Sequence, residues 1–289
     1  MNLIANEWMK IFKKASTYVM LGLLVVIITG VAGLSKYIEL NEEQTAESSS
    51  DWKQVLTEET EMLKTERAAS SGDRDFYDRH IAMNEYRLDH DIPPVNELDA
   101  WSFVNEMVPL INFIAIITIT VAAGIVASEF STGTIKLLLI RPVSRVKILL
   151  SKYVTIVLFS IGIVLFTFAV SWIVGALLFG FGDAGPYLSY ANGEVIERTQ
   201  LGNALFTYGI SSIGLFMLTT MAFMISAAFR NSSLAIGISI FLLLMGSNIT
   251  QILALKFEWA KYSLFANTNL MNYFDGQPLF DDMTLSFSI

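Results

Sequence analysis

His80 and His90 are the only imidazoles in the chain, and acids flank both, with Asp78 near one and Asp89 and Asp91 around the other. Imidazole with carboxylates is a metal donor set, and the competing reading is a pair of solvated surface histidines. Nucleophilic chemistry has weaker support. "GISSIG" at 209–214 approaches a G-x-S-x-G elbow, but its second glycine comes one place late. A serine there would also need a basic partner, and both histidines belong to a different, water-facing stretch. No G-x-x-x-x-G-K-[ST] phosphate loop occurs, so this chain is not expected to hydrolyse nucleotide. Cysteine is absent, which excludes disulfides, thiolate metal sites and redox motifs. No catalytic residue, metal or resident cofactor is therefore expected. What remains is "SEFSTGTIKLLLIRPVSRVKILLSK", residues 128–152, where Lys136, Arg141, Arg145, Lys147 and Lys152 face a single acid, Glu129. A solvent loop would not spend "LLLI" on water, and a bilayer segment would not tolerate the bases.

The elements that position this stretch follow from hydropathy. Of 289 residues, 53% are hydrophobic and 16% charged, a departure from soluble averages that indicates an all-α polytopic membrane protein. The net charge of -8 hides a segregation of acids from bases along the chain. Residues 17–34 are uncharged and long enough for a roughly 30 Å hydrocarbon core, so they read as a first span. A cleaved signal peptide is the rival reading. Ahead of it, residues 1–16 place Ile4, Trp8, Ile11 and Phe12 at helical spacing near Lys10, Lys13 and Lys14, which suits an amino-terminal helix lying in the interface.

Residues 35–101 carry 17 acids and 7 bases. Apolar patches recur there at helical intervals, at Trp52, Val55, Leu56 and Leu63, then at Tyr77, Ile81 and Leu88. This is a small helical extracytoplasmic domain, closed by Pro93 and Pro94. Residues 102–128 form a second span with Glu106 near its outer end. After the 129–152 loop comes a third span at 153–182, long enough to need tilt or a break near its glycines. A polar hairpin lies within an outer loop at 183–203. Fourth and fifth spans follow at 204–228 and 234–252, and 253–289 is an amphipathic, aromatic outer segment. Two readings stay open at its end: a sixth span starting near Met283 and cut short, or five spans with an outer tail.

Basic flanks set the orientation. With the amino terminus inside, the inner flanks hold Lys10, Lys13, Lys14, Arg230 and the five bases of the 129–152 loop, against Arg198, Lys256 and Lys261 outside. The amino terminus is thus expected in the cytoplasm and the acidic domain outside. Within the spans no Asp, Lys or Arg lies near the midplane, whereas ion-coupled transporters usually bury one. Small residues at spacing four, Ala123 with Ala127, Gly124 with Ser128, Ser171 with Gly175 and Ala222 with Ser226, suit close helix packing, although lipid-facing coincidence explains them equally. Asn105 and Asn112, and Asn248 with Gln251, could line a path or bond neighbouring helices.

For the 129–152 loop, Ser131 or Thr132 can cap a short helix, Gly133 permits a bend, Pro142 stops the run and Ser144 can cap the third span. On residues alone it is either an interfacial linker or a helix presented for docking. "ASEFSTGTIKLLLIRPVSRVKILLSKY" resembles the signature after the second span in type-2 permeases of ATP-binding-cassette (ABC) transporters, where E-x-x-x-G-T-I-K and R-P-V-S-R recur. "NEWMKIFKK", "YRLDHDIPP" and "AWSFVN" are also similar to bacterial members, so the likeness covers most of the chain.

The resemblance implies a coupling helix seated on a separate cytoplasmic ATPase. Glu129, Gly133, Thr134, Lys136, Leu137 and Leu138 would shape and seat it, and Arg141 and Arg145 would touch lipid phosphate or the ATPase. It implies six spans per subunit, a second permease copy or homologous permease, and ATP with Mg on the partner only. The expected function is a permease subunit in the bacterial plasma membrane, exporting cargo by alternating access, with lipid but no nucleic acid among its partners. A rival from another class is a membrane sensor or scaffold with a ligand-binding acidic outer domain.

Overall fold

Long apolar runs with few helix breakers form helices here, and caps and glycines end them. The structure, a computed structural model, describes residues 3–45, 52–69, 74–93, 98–134, 143–181, 185–191, 193–229, 231–275, 278–280 and 282–288. In chain order the main helices are α1 (Leu3–Phe12), α2 (Ala15–Thr45), α3 (Trp52–Ala69), α4 (Arg74–His90), α5 (Ala100–Glu106), α6 (Leu110–Ser131) and α7 (Arg145–Leu178). A hairpin of β1 (Tyr187–Ala191) and β2 (Glu194–Arg198) precedes α8 (Gln200–Ala228) and α9 (Ser232–Ala254). Short helical turns at Glu258–Tyr262, Leu264–Ala266, Asn272–Asp275 and Leu285–Ser288 complete it.

Among the described residues five helices are long and apolar enough to cross a membrane: Ala15–Asn41, α6, α7, α8 and α9. The chain is an all-α polytopic membrane protein, its only described strands being the two of the hairpin. Large apolar side chains such as Val26, Leu165, Leu177 and Ile252 are exposed on those helices, as expected where the solvent is lipid.

The chain divides into two compact units. The first comprises Met1–Val26, Val108–Ala169 and Thr207–Ile289. In it α9 packs along α6, and α8 is joined to α6 by polar contacts that need small neighbours. Ser226 Oγ accepts from the amides of Val126 (3.2 Å) and Ala127 (3.1 Å), and Thr219 donates to Thr118 at 3.2 Å. Ala123, Ala127, Ala222 and Ser226 are fully buried, so those spacing-four residues pack against protein rather than lipid. The tail folds onto the same helices. A Cβ on Gly246 would strike the Phe265 ring, and one on Gly214 would strike the Thr268 carbonyl. Where one of the two readings starts a sixth span, Met283 is buried and Ser288 donates back to Asn267 at 2.6 Å.

The second unit comprises Ile27–Met107 and Val170–Phe206. Here α3 and α4 form an antiparallel-type hairpin of charged helices with Leu56 and Ile81 buried, while Val55 stays exposed. Its surface ion pairs are Lys53 with Asp91 (2.5 Å), Lys64 with Glu61 (3.0 Å) and Glu85 (3.1 Å), and Arg67 with Asp78 (2.5 Å). The β-hairpin packs on α4, where Tyr86 donates to Glu197 at 3.2 Å. Asp99 caps α5 by accepting from the Ser102 amide at 2.7 Å.

The expected second span at 102–128 is corrected to two helices. The turn at 107–109 separates α5 from α6, because Pro109 has no amide to donate and fits only the start of a helix. Helical spacing therefore does not run from Asn105 through to Asn112.

Candidate functional site

Among the described residues of the first unit, four charged side chains gather at the two feet of the 129–152 loop. Glu129 is in the last turns of α6 and Lys152 in the third turn of α7, and they meet at 2.7 Å. From α1, Glu7 reaches Lys152 at 2.6 Å with one carboxylate oxygen and Lys10 at 2.6 Å with the other. Lys10 closes the ring on Glu129 at 3.1 Å. Two acids and two bases thus alternate, each touching both opposite charges. Lys152, 2% exposed, spends its third proton on the Ile125 carbonyl at 3.4 Å.

Local sequence explains the arrangement. Ile4, Glu7, Trp8 and Ile11 fall on one face of α1, so the acid lies in the apolar stripe, where it is buried next to Ile11 while Trp8 is half-buried and Ile4 exposed. Thr17 donates to the Ile11 carbonyl at 2.7 Å and fixes the turn from α1 into α2. Burial opposes both charges, yet hydrogen bonds from Lys10 and Lys152 hold the Glu7 carboxyl below its ordinary 4.5. Lys10 is likewise raised above 10.5, burial being outweighed by Glu7 and Glu129. Two acids face two bases, so the formal charges of the ring cancel. Such a ring does no bond-making chemistry. Its effect is mechanical, since opening any side takes one of its two partners from each of two charges that are poorly solvated.

Around it, Gly133 adopts φ 73 just past α6, the left-handed position that favours glycine at a helix end. Thr134 Oγ1 meets Thr132 Oγ1 at 3.0 Å and donates to the Glu129 carbonyl at 3.5 Å. Lys136, Leu137, Leu138 and Arg141, and most of the expected short helix, lie outside the described residues. The Lys147 amide donates to Ser144 Oγ at 3.4 Å, capping α7, and Arg145 is exposed in its first turn.

The weaker path residues separate. Asn105 is half-buried and accepts from Asn203 at 2.9 Å, beside Gln200 at 3.4 Å. Asn112 lines a cavity of about 340 Å³ with Ser211, Ser247 and Asn269. Asn248 and Gln251 are exposed, and Asn248 donates to the Leu244 carbonyl of its own helix. His80 rests on Phe76 and His90 stacks on Tyr86. Ten residues apart on one helix, they are about 15 Å from each other along its axis, too far to share an ion. Among the described residues no group of three or more His, Cys, Asp or Glu could hold a metal.

Sequence reasoning missed Glu7 altogether and took Lys10 and Lys152 only as members of basic flanks. The available signal was an acid one turn from Ile11 on an apolar face.

A family model described as "Protein of unknown function (DUF2705)" matches residues 78–289. The chain is 45% identical over 292 residues to "Uncharacterized protein YhcI" of Bacillus subtilis (strain 168), covering all of this chain and 92% of that one. It is 35% identical over 175 residues to "Uncharacterized membrane protein YdbK" of the same organism, covering 60% of this chain and 67% of that one. No solved structure matches.

Proposed function

We propose, for a chain that belongs to the family described as protein of unknown function DUF2705, that it is the transmembrane permease subunit of a bacterial ABC exporter. It carries no hydrolytic site of its own, and a separate cytoplasmic ATPase, holding ATP and Mg, docks on the 129–152 loop. The amino terminus faces the cytoplasm, and a second permease copy or homologous permease completes the path across the plasma membrane.

The observation that carries this reading is the buried ion ring at the loop's feet. Glu129 and Lys152 bound that loop and pair at 2.7 Å, so its two ends move as one body, tied also to α1 through Glu7. A push on the loop therefore reaches α6 and α7 together, as rocking of packed helices requires. Arg145 and Lys147 support it as well. Cations in the first turn of α7 oppose the helix dipole by about 0.3–1 kcal/mol each, so their use lies in what they contact rather than in holding the helix.

The test is co-purification of the full chain with a Walker-motif ATPase. Capture is expected with the native loop and lost with Leu138→Asp, with membrane insertion unchanged. Capture that survives Leu138→Asp refutes docking through this loop, and no ATPase in either sample refutes the permease reading. Orientation is tested in whole cells, the chain having no cysteine. An impermeant thiol reagent should label Ser48→Cys and spare Ser144→Cys.

A further inference from the structure

Three members of the ring, Glu7, Lys10 and Glu129, line a cavity of about 730 Å³ bordered by α1, the start of α2, α6 and α9. Its chemistry changes along α6. Thr132, Glu129 and Ser128 line one end, then Gly124 and Ile125, then Val121 and Thr120. Twelve residues of helix make this about 18 Å of depth, over half the thickness of a hydrocarbon core. The deep end is apolar. Met20 and Ile236 complete it, and the Thr120 hydroxyl is already committed to the Ile116 carbonyl at 2.7 Å.

The shallow end is cationic. Glu7 and Glu129 are balanced by Lys10 and Lys152 within the ring, which leaves Lys13 and Lys14 as the surplus charge on the lining. Both are exposed, and neither has an ion-pair partner among the described residues. Ser16 adds a hydroxyl to the lining, and Ser232 adds another further in, near Gly124. A cavity cationic and hydroxyl-lined at its mouth and greasy beyond it matches an amphiphile with an anionic head. A free anion would leave the apolar depth unfilled.

We propose that this cavity binds an anionic glycerophospholipid of the inner leaflet, its phosphate at Lys13 and Lys14 and its upper acyl chain against Gly124, Val121 and Ile236. Gly124 makes the room. A Cβ there would meet Ile236 at 3.9 Å and Ser232 at 4.0 Å, ordinary contact distances, and a larger side chain would take up the space between α6 and α9 that the cavity occupies. Because Lys10 and Glu129 belong both to the cavity wall and to the ring, the bound lipid adjoins the clamp at the loop's feet. The inner-leaflet placement rests on the orientation proposed above. Binding itself does not, because detergent-solubilised protein has no leaflets and the assay contains no ATPase.

The experiment is native mass spectrometry of the full chain in detergent with phosphatidylglycerol or phosphatidylcholine of matched chains. Phosphatidylglycerol should be retained about tenfold over phosphatidylcholine, the order expected of two bases near an anionic head. Lys13→Gln with Lys14→Gln should bring that ratio close to one. Gly124→Leu should lower retention of phosphatidylglycerol severalfold while the lysines remain, with Gly124→Val as the second variant if the leucine form fails to fold. Equal retention of the two lipids overturns the proposal, as does indifference to both sets of variants. Displacement of the lipid by millimolar inorganic phosphate alone also overturns it, since the site would then take a free anion.

Discussion

Two groups of ion pairs in this chain use the same side chains to opposite effect. On α3 and α4, Arg67 with Asp78 and Lys53 with Asp91 join partners that are between a third and three-quarters exposed. In the ring, the Lys152, Glu7 and Glu129 side chains are 3%, 7% and 10% exposed, with Lys10 alone near the surface. Exposed pairs gain little over water and are screened by salt. The buried ring adds little stability over an apolar replacement, but breaking it leaves charges without solvent. The surface pairs decorate the hairpin; the ring fixes which helices stay together.

The sharpest way to break this comparison is Lys152→Ala. It leaves two buried carboxylates sharing Lys10 as their one cation and should cost about 3–5 kcal/mol in unfolding free energy, read by thermal or denaturant unfolding in detergent. A loss as small as that from the surface pairs would erase the distinction. Next in size is the response to acid. The Glu7 carboxyl is held below 4.5 in the folded chain, so its contribution is present above 4.5 and disappears as pH falls through the lower folded value. Unfolding temperature should be level across neutral pH and decline below about 4.5, with the decline blunted in Glu7→Gln, as a pH series of melts would show. The smallest effect belongs to Arg67→Ala, about 0.2–1 kcal/mol and largely abolished by 1 M salt, whereas the Lys152→Ala loss should persist in the same salt titration.

Much of the fold was legible because bilayer-spanning helices announce themselves by length and hydropathy, and each of the five apolar runs overlaps one helix of the required length. The polar hairpin was legible too, with Gly193 at φ 87 in its turn. The break at 107–109 was not read, although Pro109 stood inside the run, because hydropathy averages over a single residue that removes one amide. For the site, the bend at Gly133 followed from local chemistry, whereas Glu129 entered only through the resemblance. The ring did not, because Glu7 and Lys152 are 145 positions apart and nothing local marks one as the partner of the other. Periodicity shows that an acid is on the apolar face of α1; only tertiary packing shows which base receives it.

That long separation has a consequence for biogenesis. While the ribosome is still making the first two spans, Glu7 has no Lys152 to meet, so a nascent chain stalled before α7 emerges must leave this carboxylate in contact with water or headgroups. Helix α1 can settle into its final seat only after the third span has arrived, which makes an element synthesised before that span one that docks after it.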